Sequence, residues 1–166
     1  VRYGNVLGSR GSVIPFFHNI KHTGKLPITD KRMTRFMITL EQGVELVWKA
    51  FQDMVGGETY VKKIPSMNIV DIARTIASNC SIEITGVRPG EKLHEQMISA
   101  EDSMHTFEYP GYYKILPAIN NWDQSLERIK NGARVKEGFT YSSDNNKDWM
   151  TSAKLLEWIK ENENVL

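Results

Sequence analysis

The chain has 166 residues, 40% hydrophobic and 25% charged, enough apolar material for the core of one domain or part of a larger one. Its 21 Lys and Arg nearly cancel its 20 Asp and Glu, and a net charge of +1 excludes broad electrostatic capture of nucleic acid or an anionic membrane. The single Cys80 excludes an internal disulfide framework and a multi-cysteine metal site, no run approaches the roughly 20 apolar residues of a membrane span, and Val1-Arg2-Tyr3 does not start a signal peptide, all of which predicts a cytoplasmic protein.

In chain order, Val1, Tyr3, Val6 and Leu7 around Gly4 and Asn5 predict a buried strand from the middle of a sheet. Gly4, Gly8 and Gly11 have neither the dinucleotide G-x-G-x-x-G spacing nor a Walker lysine, so a turn is expected after that strand. Thr39 with Gln42 forms a capping box before a helix over about 39–54, with Leu40, Gly43, Val44, Val47, Phe51 and Met54 on one face. Thr59-Tyr60-Val61 predicts a short strand. Asn68 can cap a helix whose inner face is Ile69, Ile72, Ala73 and Ile76, and Ile82, Ile84 and Val87 predict a further strand. This βαβαβ rhythm implies an α/β arrangement with a parallel component. Beyond residue 105 the pattern is less regular, punctuated by Pro110, Gly111, Pro117, Asn120 and Asn121, and Thr151 opens a last helix carrying Leu155, Trp158 and Ile159.

Few residues suggest chemistry by spacing. His94-Glu95 begins like a zinc-protease helix, but Ile98 stands where the second histidine is needed, and His18, His22 and His105 are scattered. "GVRPGEKLHE" is more informative. Pro89-Gly90 forces a turn between a strand end at Val87 and a short helix expected from Lys92, which brings Arg88 and Glu91 together at a carboxyl strand end, where ligands of open α/β sheets collect. An arginine fork suits phosphate oxygens, and a carboxylate three residues on can accept hydrogen bonds from a diol. A solvated Arg–Glu pair at a simple turn explains the same spacing, and both readings stand. Arg35, at the end of an apolar stretch before the capped helix, is likewise either a solvated helix-entry residue or, with Arg88 and Asn5, part of a diphosphate cradle.

"RYGNVLGSRGSVIPFF", "LPITDKRMTRFMITLEQGVELV", "GGETYVKKIPSMNIVDIA", "GVRPGEKLHEQMIS" and "YSSDNNKDW" occur in this order. From residue 1 to about 160 the chain thereby resembles the inverting UDP-N-acetylglucosamine 4,6-dehydratases, extended short-chain dehydrogenase/reductase enzymes of bacterial surface-sugar biosynthesis such as flagellin glycosylation with pseudaminic acid. The resemblance implies the carboxyl-terminal part of a Rossmann-like fold with the small substrate-binding domain. Residues 1–100 would hold the last Rossmann strands interleaved with nucleotide-sugar-binding elements, and 101–166 a substrate-domain tail and final helix. In the family a glycine-rich NADP loop and a Tyr-x-x-x-Lys pair lie upstream of this segment. None of the six tyrosines here has a lysine four positions on, so no catalytic residue is expected in this chain, and no activity from it alone.

By the same resemblance, Asn5, Arg35 and Arg88 would grip the diphosphate of a UDP-sugar, Glu91 the ribose hydroxyls, and Ser12, Val13 and Thr29 would border the nucleotide. Tyr3, Gly4 and Val6, with Arg10 less directly, would flank NADP. The implied partners are UDP-N-acetylglucosamine, an amino-terminal Rossmann half and further copies in a homo-oligomer. The implied reaction gives a 4-keto-6-deoxy sugar inverted at C5. The alternatives are a UDP-sugar-binding remnant without chemistry, and half of a UDP-sugar C4 epimerase or a C5-retaining dehydratase.

Overall fold

The computed structural model describes residues 1–117 and 126–162, so the punctuation expected at Asn120 and Asn121 lies outside the described residues. The chain enters through β1 (Asn5–Val6), α1 (Val13–Ile20), β2 (Lys25–Ile28) and β3 (Thr34–Ile38), then α2 (Leu40–Asp53), β4 (Thr59–Lys62), β5 (Ser66–Asn68) and α3 (Ile69–Ile76). β6 (Ser81–Ile84) and β7 (Gln96–Ile98) follow, then β8 (Thr106–Tyr109), β9 (Tyr112–Ile115), α4 (Leu126–Ile129), β10 (Ala133–Arg134), β11 (Tyr141–Ser142) and α5 (Ser152–Glu161). The parallel component is present: β1 runs beside β3, β2 beside β6, and Arg2 bridges Val61 in parallel.

Two cores position the rest. Leu26, Ile28, Ile72, Ala73 and Leu155 are fully buried where β2, α3 and α5 meet, and Ile14 and Phe17 of α1 join them. A second core gathers Phe36, Ile38, Val61, Ile64, Ile98, Tyr113 and Tyr141 under β3, β4, β7, β9 and β11. The caps fall where the sequence puts them. Thr39 and Gln42 make the reciprocal capping box of α2, Asn68 accepts from the Val70 N–H of α3, and Thr151 accepts from the Lys154 N–H of α5.

Four expectations are corrected. The opening strand is short: only Asn5–Val6 form β1, and Val1 and Tyr3 are exposed, because Arg2 N–H has a partner in Tyr60 O but the pairing with β3 begins at Asn5. α2 turns a different face inward. Gly43 is buried as expected, but Leu46 and Ala50 complete the inner face, packed against Tyr60 with Tyr112 beside it, while Leu40, Val44, Phe51 and Met54 are exposed, since the covering rings lie on the Leu46–Ala50 side. Val87 lies beyond its strand, as β6 ends at Ile84 and Gly86 takes a left-handed φ of 85°. No helix forms from Lys92, because the Lys92 and Leu93 carbonyls that would have to accept helical bonds are taken by the Arg35 guanidinium and the Thr34 N–H.

The stretch after residue 105 is more ordered than its sequence suggests. "TFEYPGYYKI" is a hairpin in which Pro110-Gly111 joins β8 to β9, with Gly111 at a φ of 81° and Tyr109 stacked on Tyr112 at 4.7 Å. β9 then pairs with β4, and β8 with β10, giving a four-stranded antiparallel sheet.

Candidate functional site

A cleft of about 420 Å³ opens among β1, the start of α1, the end of β2, β3 and the loop after β6. Asn5, Val13, Thr29, Arg35, Arg88 and Glu91 line it, drawn from positions up to 86 apart in sequence (91 minus 5). Parallel pairing of β2 with β6 explains the meeting: Ile28 lies opposite Ile84, so Thr29 and the Thr85–Glu91 loop leave the same end of adjacent strands. Thr85 N–H and Gly86 N–H continue the ladder to Ile28 O and Thr29 O.

The loop after β6 is tightly held. Thr29 Oγ1 donates to Glu91 Oε1 at 3.2 Å, the Arg88 N–H donates to the other Glu91 oxygen at 3.3 Å, and Glu91 N–H closes the Pro89-Gly90 turn onto Arg88 O at 3.0 Å. The carboxylate is thus oriented from two sides while facing the cleft. The Arg88 residue is exposed, leaving its side chain open to solvent and ligand.

Arg35 sits inside β3, not at a strand end as its sequence context suggests. Its guanidinium donates to Thr34 O at 2.8 Å, Leu93 O at 3.0 Å and Lys92 O at 3.1 Å, and Glu95 lies 3.6 Å away. It lines the cleft as a half-buried positive charge whose donors shape the loop, and the resemblance alone does not disclose that second task.

Ser12 stands at the N-cap position of α1, without a side-chain cap bond, between the lining residues Gly11 and Val13. Its hydroxyl is buried and has no partner among the described residues. A buried unsatisfied hydroxyl costs about 1–3 kcal/mol, which an incoming oxygen or donor would offset. The turn from Leu7 to Ser12 carries Gly8 and Gly11 at φ of 72° and 75°, as a turn after β1 requires.

Tyr3, Gly4, Val6 and Arg10 do not line this cleft. Tyr3 and Arg10 are exposed, Gly4 and Val6 half-buried. Gly4 has a packing reason to be glycine: a Cβ there would lie 2.3 Å from Phe36 Cβ and 2.8 Å from Phe36 O.

Missed by sequence reasoning was the partnership of Thr34, His94 and Ser143. Thr34 Oγ1 lies 2.8 Å from His94 Nδ1 and 2.7 Å from Ser143 Oγ, and Ser143 accepts from the Glu95 N–H at 2.9 Å. Separations of 60 and 109 residues leave no local signal for it.

The chain is similar to known proteins along nearly its whole length. The UDP-N-acetylglucosamine 4,6-dehydratase (inverting) of Campylobacter jejuni is 52% identical over 98% of this chain and 51% of its own length. The UDP-glucose 4-epimerase of Rickettsia typhi is 42% identical over 69% of this chain and 35% of its own. The X-ray structure of Pen from Bacillus thuringiensis superposes with a TM-score of 0.80 at 36% identity, over 99% of this chain and 50% of that one. The chain spans about half the length of the dehydratase it matches, and the fold is the α/β carboxyl-terminal part of a Rossmann-like extended short-chain dehydrogenase/reductase. The family described as polysaccharide biosynthesis protein matches residues 1–117, and this chain belongs to it.

Proposed function

We propose that this chain is the substrate-binding half of an NADP-dependent, C5-inverting UDP-N-acetylglucosamine 4,6-dehydratase of bacterial surface-sugar or flagellin-glycan biosynthesis, working in the cytoplasm. The observation that carries the reading is the convergence of Asn5, Thr29, Arg35, Arg88 and Glu91 on one cleft. Likeness to the inverting dehydratase over 98% of the chain, against 69% for the epimerase, favours dehydration over epimerisation.

In this reading the exposed Arg88 fork and the Asn5 amide bind the diphosphate, with Arg35 supplying charge from the cleft wall. Glu91, held by Thr29 and the Arg88 N–H, accepts hydrogen bonds from the ribose hydroxyls. Val13, Phe16 and Ile28 give the nucleotide apolar walls, and the Ser12 hydroxyl gains the partner it lacks. Contacts to the unreacting UDP then fix the sugar ring in place, which converts remote binding energy into orientation at C4 and C5.

A nicotinamide cofactor is implied by the dehydratase relatives, and the residues here fit one flank of it. Tyr3 offers an exposed ring just ahead of β1, and Gly4 and Val6 offer backbone, while no phosphate-holding glycine loop is found among these 166 residues. Such a group would supply the hydride acceptor for sugar C4 and, once water has left across C5–C6, the hydride donor for C6.

Calorimetric titration of the intact protein with UDP and, separately, NADP tests the assignment. Arg88→Ala is expected to lose about 2–4 kcal/mol of UDP binding, as removal of a charge-assisted partner does once the bound diphosphate covers the now exposed guanidinium. Arg88→Lys should recover part of it and Glu91→Gln should lose less, with NADP affinity unchanged in all three. UDP affinity within about twofold of wild type in Arg88→Ala would return this loop to a solvated turn.

A further inference from the structure

We infer that Ser143 and Thr34 are positioning residues for the substrate loop, forming a buried hydroxyl clasp through which the "YSSDNN" segment sets the geometry of the Arg88–Glu95 stretch. The inference rests on the assignment of that loop to UDP binding.

Ser143 is fully buried and does not line the cleft, so its polarity needs another explanation. Its single hydroxyl meets three neighbours. It accepts from the Glu95 N–H, donates to Thr34 O at 3.1 Å, and lies 2.7 Å from Thr34 Oγ1. Its own N–H donates to Glu95 O at 2.8 Å. Ser143 therefore holds both backbone groups of Glu95 to the one residue that precedes Arg35.

The far side of the clasp continues into the cleft. Thr34 N–H donates to Leu93 O, Thr34 Oγ1 reaches His94, and Arg35 takes Lys92 O and Leu93 O. Consecutive carbonyls and side chains from 92 to 95 are thus tied to Thr34 and Arg35, and the chain arrives at Glu91 with its direction fixed. Hydroxyl accounting closes in full when Nδ1 carries the hydrogen. With Nδ1 bare, Thr34 donates to His94, and the one Ser143 hydrogen serves either Thr34 Oγ1 or Thr34 O. With Nδ1 protonated, His94 donates to Thr34, Thr34 to Ser143, and Ser143 to Thr34 O.

The segment carrying Ser143 is anchored independently of the loop. Tyr141 Oη accepts from Ile64 N–H at 2.9 Å and donates to Ile64 O at 3.0 Å, and Asn146 donates to Ile64 O and Ser66 Oγ. Ser143 is therefore held by the second core and holds the loop in turn. A hydroxyl buried without its partners is costly, so removing one end leaves Glu95 N–H and the Thr34 hydroxyl to find others by moving the loop.

The test is UDP affinity and steady-state kinetics of the intact enzyme carrying this chain, with Ser103→Ala, a buried hydroxyl elsewhere in the chain, as the control for loss of stability alone. Ser143→Ala is expected to raise the UDP Kd and the KM for the UDP-sugar about tenfold, with kcat within twofold of wild type and a melting temperature like that of Ser103→Ala. Thr34→Val should behave in the same way, and Thr34→Ser, which keeps the hydroxyl, should bind UDP like wild type. If Ser143→Ala does not fold, the Thr34 pair decides: equal UDP affinity in Thr34→Val and Thr34→Ser overturns the clasp. UDP affinity within twofold of wild type in Ser143→Ala, while Arg88→Ala weakens it, also overturns the clasp and leaves the site assignment intact. Unchanged affinity in both Ser143→Ala and Arg88→Ala overturns the site assignment itself.

Discussion

Thr29 Oγ1 donates a hydrogen bond to Glu91 Oε1 at 3.2 Å across 62 residues of sequence, at the end of two strands that run parallel. The threonine hydroxyl thus removes a rotational freedom from a carboxylate that faces the cleft. Thr29→Val keeps the shape and deletes the donor. Because a net hydrogen bond is worth about 0.5–1.5 kcal/mol, the variant should bind UDP roughly 2–10-fold more weakly. Its melting temperature should stay near that of wild type, since the pair is only partly buried. Calorimetry decides the point, and unchanged UDP affinity would mean that the Arg88 N–H suffices to orient Glu91.

Gly4 and Phe36 make a contact that no side chain at position 4 can share. The clash of an added Cβ is with the Cβ and backbone of Phe36, which is fully buried, so it cannot be relieved by a rotamer change. Gly4→Ala should cost about 1–3 kcal/mol of stability, as overpacking does, and lower the melting temperature by several degrees. Phe36→Leu keeps the offending Cβ. The cost of Gly4→Ala should therefore be the same in a Phe36→Leu background, and a smaller cost there would place the clash in the ring instead.

Legibility in the sequence follows the range of each interaction. Caps act over three residues, so Thr39 with Gln42, Asn68 and Thr151 mark helix starts that the structure reproduces. The inward face of α2 was not legible, because apolar periodicity reports which side chains avoid water and not which neighbour is present to cover them. Leu46 and Ala50 are buried because Tyr60 is there. The hairpin over 106–115 carries its own signal in Pro110-Gly111 between alternating residues, and only its irregular surroundings hide it. Of the cleft, spacing shows just the nearness of Arg88 and Glu91. Family resemblance adds Asn5, Thr29 and Arg35, and the tie from Ser143 to Thr34 emerges only when β11 is seen beside β7.

The outer face of α2 predicts self-association. Trp48, Phe51 and Leu40 are each more than 60% exposed, as is Val55 just beyond the helix, and Trp48 and Phe51 lie together with ring centroids 6.4 Å apart. A contiguous apolar stripe of this kind on an isolated chain is an association surface. Residues 1–166 alone should sediment as dimers or larger species, and Trp48→Ser with Phe51→Ser should shift them towards monomer. A monodisperse monomer before substitution would show that this stripe is tolerated in water.

Acid stability should hinge on Asp53. Burial by itself would raise its carboxyl, but hydrogen bonds from Lys114, Lys130 and Tyr60 outweigh burial and hold it well below the usual carboxylate range. Lys114 is 1% exposed, lies over the rings of Tyr60 and Tyr109, and donates to Arg128 O at 2.9 Å, so the pair fastens the end of α2 to β9 and α4. Because the folded value lies below the unfolded one near 3.8, the folded state binds fewer protons than the unfolded state through that window. The contribution is complete above about pH 4 and is lost as the pH falls further. Asp53→Asn leaves a buried ammonium without its counterion and should cost about 3–5 kcal/mol at pH 7. Urea denaturation of the wild type and of Asp53→Asn between pH 7 and pH 2.5 measures both effects. The gap between the two proteins should be constant down to about pH 4 and narrow below it, and a gap that stays constant throughout would show that Asp53 titrates alike in the folded and unfolded chains.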